Sequence, residues 1–281
     1  MRTDDLCAAL TGWLERLVPE DDRRAALIAE LSGPDDRPVD PEVCAELQER
    51  ARRFSRHLDL EWVSEGGLVP DTESRGWPEP DAAEVAVRRA DISAWHFGEI
   101  GVLTVAGLSP LALAAPFLDA ALAELRGAPA VVLDLRANGG GDLDTAMAVL
   151  GWLLGPEPVH ISDVVSKGDT RRWHSDPRPG LDPGTPAAAL IGAGTYSSGE
   201  ALAYHFQAQR RGPLIGARTP GAADHVTPIV LHEHVRANLP RAHVVDAITK
   251  ANWEQAGVQP DIPCAESEAL ERALAFYAQT P

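Results

Sequence analysis

Residues 188–201, AALIGAGTYSSGEA, constrain the fold of this chain more than any other stretch. An apolar run meets a small-residue turn at Gly192–Gly194, two serines follow, and a helical pattern opens at Gly199 and Glu200. Strand, tight turn, serine, helix is an arrangement that presents a hydroxyl at a helix N-terminus. There the dipole and the unpaired backbone N–H groups favour negative charge. The plain reading is an N-cap: Thr195, Ser197 or Ser198 caps the helix and Glu200 closes a capping box. The rest of the chain decides between the two.

Read in order, residues 4–32 give two amphipathic helices and 40–58 a third, with Val43, Leu47, Ala51 and Phe54 on one face. LDLEWV, 58–63, alternates like a strand. Residues 65–82 are polar and rich in Pro and Gly, as a linker is. Residues 83–108 alternate as three short strands. A helix over 109–127 leads into PAVVLDLRA, an unbroken apolar run typical of a strand covered on both faces. A Gly-rich turn and another helix follow. Strands near 188–192 and 213–217 flank a helix at 198–210, strands at 228–238 and 241–246 form a hairpin, and a helix closes the chain. The expected division is a helical bundle at 1–64, a linker at 65–82 and an α/β core at 83–281.

Net charge is −17, which argues against unassisted binding to nucleic acid or an anionic membrane. Cys7, Cys44 and Cys264 are far apart and show neither disulfide nor zinc spacing. No apolar run has the length of a membrane span, and acids interrupt the N-terminal apolar stretch. A cytoplasmic location is the expectation. His232 and His234, two apart on an expected strand, could ligate a metal, but no third ligand is evident. No metal or cofactor is expected.

Two further Gly-rich turns stand out, DLRANGGGD at 134–142 and IGARTPGAADH at 215–225. The first lacks both the GK[ST] of a phosphate loop and the glycine spacing of a dinucleotide fingerprint. VVLDLRANGGGD together with GTYSSGEALAYHFQAQRRGPLIGARTPGAADH resembles the core of the tail-specific (C-terminal processing) serine peptidases. The likeness is to the branch of tricorn core protease and the interphotoreceptor retinol-binding protein repeats. NWEQAGVQPDI, 252–262, and RFSRHLDLEW, 53–62, resemble two further motifs of that branch.

The resemblance implies a nucleophile at Ser197. Ala222 stands where the processing branch has its lysine base, so a Ser–Lys dyad is absent. The other branch's Ser–His–Glu positions fall on His57 and Glu254. An unactivated serine needs such a base and a group to fix its tautomer. Ser198 with Gly140 or Gly141 would supply oxyanion N–H donors, and His225 would line the substrate site. Asp134 and Arg136 read as strand-end polar contacts, and Tyr204, His205 and Phe206 as core packing.

The implied fold is an N-terminal helical bundle followed by a Clp protease/crotonase-like α/β spiral, with no PDZ domain in the short 65–82 stretch. The site would draw His57 from one part and Ser197 and Glu254 from the other. The implied activity is peptide-bond cleavage in short peptides. A different acyl hydrolase or cyclising acyltransferase, and a silent module for a hydrophobic ligand, remain alternatives, and an oligomer is possible.

Overall fold

Three capped helices open the chain: α1 (Thr3–Leu17), α2 (Asp22–Leu31) and α3 (Pro41–Ala51). The Asp21 carboxylate accepts the Arg24 N–H at 2.7 Å, and that of Asp40 accepts the Val43 N–H at 2.9 Å. Each satisfies a donor that no helical carbonyl reaches. α3 stops at Ala51 rather than running to 58. Residues 52–57 turn instead, which takes His57 out of the helix.

The structure, a computed structural model, describes residues 1–182 and 184–278. Beyond α3 it has β1 (Asp59–Trp62), α4 (Ala82–Val87), β2 (Ile92–Phe97), β3 (Ile100–Val105), α5 (Leu111–Glu124) and β4 (Ala130–Asp134). α6 (Leu143–Leu154), β5 (His160–Ser166), β6 (Asp169–His174), β7 (Ala187–Ile191) and α7 (Ser198–Ala208) follow. The last elements are β8 (Leu214–Gly216), β9 (His225–His232), β10 (Val235–Asp246), β11 (Ile262–Pro263) and α8 (Ala269–Ala278). The chain divides into two compact units. One comprises residues 1–79, 163–171 and 222–245; the other comprises 80–162, 172–221 and the described residues from 246 onward.

In the first unit, β10 lies between β1 and β9, antiparallel to both, with Ala237 opposite Leu60 on one side and Ile229 on the other. The tip of the β5–β6 hairpin joins this sheet, whose order is β1-β10-β5-β6 with β9 also on β10. Leu6, Leu10, Leu14, Leu47 and Leu58 pack with Ile229, Leu231, Val235 and Leu239 in one apolar cluster. The helices thus bury their apolar stripe on the sheet.

In the second unit the order is β11-β8-β7-β4-β3-β2, parallel except for the edge strand β2. β7 is buried at every residue and β4 at all but its last, as the unbroken apolar runs imply. Leu133 pairs with Ala189 and Asp134 with Leu190, so the loops after β4 and β7 leave the sheet side by side. That adjacency positions the serine turn against the glycine turn.

Three local expectations change. Residues 82–87 form α4 rather than a strand, because Asp81 caps the turn by accepting the Ala83 N–H at 2.7 Å. The late hairpin turns at Glu233–His234, and Pro240 lies inside β10 at a register shift, where a missing N–H is tolerated. His232 therefore ends β9 and His234 sits in the turn, so the two do not share a strand face. His234 stacks on Trp62 with ring centroids 4.8 Å apart and donates from Nδ1 to the Val63 carbonyl at 2.8 Å. Among the described residues, no helix is long and apolar enough to cross a membrane, and no three His, Cys, Asp or Glu side chains are grouped to hold a metal.

Candidate active site

Ser197 stands immediately before α7, at φ 55° and ψ −122°. A β-carbon residue in that region is strained, and such strain persists only where the surroundings hold it. Three sets of contacts do so here. The Ser197 N–H donates to Glu200 Oε2 at 3.0 Å, and the Tyr196 N–H donates to the Asn138 carbonyl at 2.8 Å. The Thr195 hydroxyl donates to the Leu135 carbonyl at 2.8 Å and accepts the Gly192 N–H at 3.0 Å. The serine turn is therefore stitched to the loop after β4.

The glycines of that loop are required by space. A β-carbon on Gly140, at φ 98°, would lie 2.8 Å from Ser197 Cβ; one on Gly141, at φ 127°, would lie 2.1 Å from the Leu108 carbonyl oxygen. Ser198 Oγ donates to the Gly141 carbonyl at 2.9 Å. The Gly140 N–H donates to Asn138 Oδ1 at 2.9 Å, while Asn138 Nδ2 donates to the Val105 carbonyl at 2.9 Å. Asn138 is fully buried and shapes both turns.

Glu200 is fully buried as well. Besides the Ser197 N–H, it accepts the Thr219 hydroxyl at 2.5 Å and the Gly221 N–H at 2.7 Å through Oε1. The loop 219–221 continues this network. The Gln255 N–H donates to the Gly221 carbonyl at 2.8 Å and the Val258 N–H to Thr219 Oγ1 at 2.8 Å. Glu254 is half-buried on the turn so held, with its N–H donated to Asn252 Oδ1 at 2.9 Å. Four of the expected residues, Ser197, Ser198, Gly140 and Gly141, thus come together in the second unit. Glu254 is tied to them through Glu200 and the 219–221 loop.

The first unit holds His57 and His225. His57 is 8% exposed, and its Nδ1 lies 2.6 Å from the backbone carbonyl oxygen of Asp224. A carbonyl only accepts, so Nδ1 carries the hydrogen and Nε2 keeps its lone pair. Burial lowers the His57 pKa below its ordinary value of 6.5 despite the favourable carbonyl contact and the nearby Asp224 charge. The ring is therefore neutral at pH 7, the state a general base requires. Next along the chain, His225 is pushed down to about 4 by burial, by Arg241 and by His57 itself.

Sequence reasoning did not assign Asn138 or Asp224, although both stand inside the quoted motifs. The signal was a polar side chain adjoining a glycine run in one case and the histidine in the other. Asp134 and Arg136 form the expected strand-end pair, Oδ2 to Nη2 at 2.7 Å.

A model of peptidase family S41 matches residues 99–264. Among solved structures, a candidate peptidase from Parabacteroides merdae ATCC 43184 matches with a TM-score of 0.66 at 14% identity, covering 100% of this chain and 98% of that one. A lipoprotein from Streptococcus agalactiae matches with a TM-score of 0.64 at 15% identity, with the same coverage. A candidate S41 protease from Bacteroides fragilis NCTC 9343 gives 0.54 at 19% identity, over 68% of this chain and 57% of that one. These structural likenesses speak to the fold.

Proposed function

Since the chain belongs to peptidase family S41 and is a serine-type peptidase, we propose that it cleaves peptide bonds of short peptides with Ser197 as nucleophile and His57 as base. The observation that carries the reading is the strained backbone of Ser197 at the start of α7, held by Glu200 and packed on Gly140.

In the proposed cycle, His57 Nε2 takes the Ser197 hydroxyl proton as Oγ attacks the substrate carbonyl carbon. The N–H groups of Ser198 and Gly141 receive the resulting oxyanion, each worth on the order of 3 kcal/mol. Gly141 is favoured over Gly140 because the Gly140 N–H is already donated to Asn138. As the C–N bond breaks, His57 returns the proton to the leaving amine. Water then attacks the acyl-enzyme by the same route. Glu254 is assigned the stabilising of the imidazolium, and His225, neutral and half-buried, the lining of the substrate site.

Fluorophosphonate labelling read by intact mass tests the nucleophile. A single adduct on the wild type that is absent from Ser197→Ala is expected; labelling or turnover in the variant overturns the assignment. Parallel peptide and ester libraries test the substrate. Ester cleavage without peptide cleavage would leave the nucleophile in place and replace peptides with another acyl substrate.

A further inference from the structure

The Asp224 carboxylate is fully buried, lies in the first unit and takes no part in the proposed cycle. Three side chains from separate parts of that unit converge on it. Arg23 of α2 donates to Oδ1 at 2.7 Å, and Ser55, in the turn after α3, donates to Oδ2 at 2.8 Å. His243 of β10 brings Nδ1 to 3.2 Å of Oδ1, and its Nε2 lies 2.9 Å from the Asp21 carboxylate. A buried carboxylate is tolerated only with such partners. Burial works against its charge, but the bond to His243 and the charge of Arg23 hold it ionised, below the ordinary carboxylate range.

Ser55 and His57 are two residues apart, and both reach the same residue from the same turn. Ser55 takes the carboxylate, and His57 takes the main-chain carbonyl at 2.6 Å. With its side chain anchored from three directions, Asp224 cannot shift its carbonyl without breaking charge-assisted bonds. The imidazole is then held against rotation in the Nδ1–H tautomer. The geometry points to Asp224, clamped by Arg23, Ser55 and His243, as the positioning residue that keeps His57 in its base-competent tautomer.

The inference rests on His57 being the base. It gives the orienting role to a backbone carbonyl braced by its own side chain, in place of a carboxylate touching the ring. Around His57, the Asp224 and Asp59 carboxylates favour the imidazolium. Arg52 opposes it, and His225, itself neutral, has Arg171 and Arg241 by it.

The test uses the full chain and compares wild type with Asp224→Asn, Ser55→Ala and His57→Gln. The readouts are the fluorophosphonate labelling rate across pH and the imidazole ¹⁵N shifts of His57. For Asp224→Asn the labelling rate should fall by about 10- to 100-fold, part of what a placed base contributes. Its acidic limb should move to lower pH, because a negative charge that favoured the imidazolium is gone. The wild type should show the Nδ1–H tautomer and Asp224→Asn a mixture. Ser55→Ala, which removes one bond and leaves the charge, should slow labelling by about 3- to 10-fold with the same drift in tautomer. It decides the matter if Asp224→Asn does not fold.

A folded Asp224→Asn that labels within twofold of wild type overturns the positioning role. So does a slower rate with an unmoved limb and an unmixed tautomer, as does an unaltered Ser55→Ala. Labelling of His57→Gln at the wild-type rate would instead remove His57 as base. Loss of labelling in His57→Gln with unaltered Asp224→Asn and Ser55→Ala would remove the clamp alone.

Discussion

Two buried histidines of this chain each touch an aspartate, and they touch different ends of it. His57 meets the backbone carbonyl of Asp224, whereas His205 Nδ1 meets the Asp246 carboxylate, at 2.9 Å. The second contact is the one usually sought in a catalytic dyad. Yet His205 is 1% exposed, and the rings of Tyr204 and Trp253 pack edgewise on it. Burial works against the Asp246 charge, but His205 and the N–H groups of Thr249 and Ile248 hold its carboxyl below the ordinary range. Within the second unit, this pair ties Asp246 to α7 and to the segment leading to Trp253. A base needs a lone pair that a substrate proton can reach, and a ring sealed in aromatic packing has none to offer. Contact with a carboxylate therefore does not by itself mark a base.

That contrast can be broken most directly by exchanging the two histidines for glutamine. His57→Gln should lower peptide turnover by at least about 10³-fold, with a loss of melting temperature smaller than that of His205→Gln. His205→Gln should do the reverse, lowering the melting temperature first. Catalysis lost from His205→Gln at full stability, with His57→Gln active, would invert the comparison. Next in size, Asp246→Ala leaves a buried partner uncompensated and should cost about 3–5 kcal/mol in urea unfolding. A loss below 1 kcal/mol would show that the pair is not structural.

Acid should act on two histidines of the first unit. For His57 and His225, burial sets the folded pKa below the 6.5 of the free side chain, so the unfolded chain binds protons first. The stability they contribute is full above pH 6.5 and is lost as pH falls, for His225 through about 4. The His225 share is on the order of 3 kcal/mol. The acidic limb of kcat/KM should also lie below 6.5, and a limb above it would contradict a buried, neutral His57.

The smallest expected effect concerns a buried carboxylate that caps a backbone. Glu200→Gln keeps the shape but weakens three bonds, to Ser197, Thr219 and Gly221. It should cost about 1–3 kcal/mol in urea unfolding and lower kcat more than it raises KM. An effect on KM alone would place Glu200 in binding rather than in holding the nucleophile turn.

Much of this was legible in the residues. The apolar runs of β4 and β7, the caps Asp21 and Asp40, and the Ser197–Glu200 capping spacing are local properties that periodicity and side-chain chemistry reveal. Residues 82–87 misled because Val85 and Val87 alternate as in a strand, while a single aspartate before an alanine-rich segment settles the helix. Pro240 misled because a breaker in sequence becomes a bulge when a partner strand absorbs it. Nothing local announced Arg23 or His243 as partners of Asp224, 201 and 19 residues away along the chain.

By itself the sequence determined most of the elements and the serine turn at the start of a helix, since these depend on bonds among near neighbours, whereas the pairing of β4 with β7 sets that turn against Gly140. Tertiary structure alone decided that residues 222–245 join the N-terminal helices. That assembly brings a β-strand, a helix and a turn to one buried carboxylate. The physical reason is range: a cap or a turn is settled within a few residues, but a desolvated charge must find its partners wherever the fold delivers them. For His57 this decides which nitrogen carries the hydrogen.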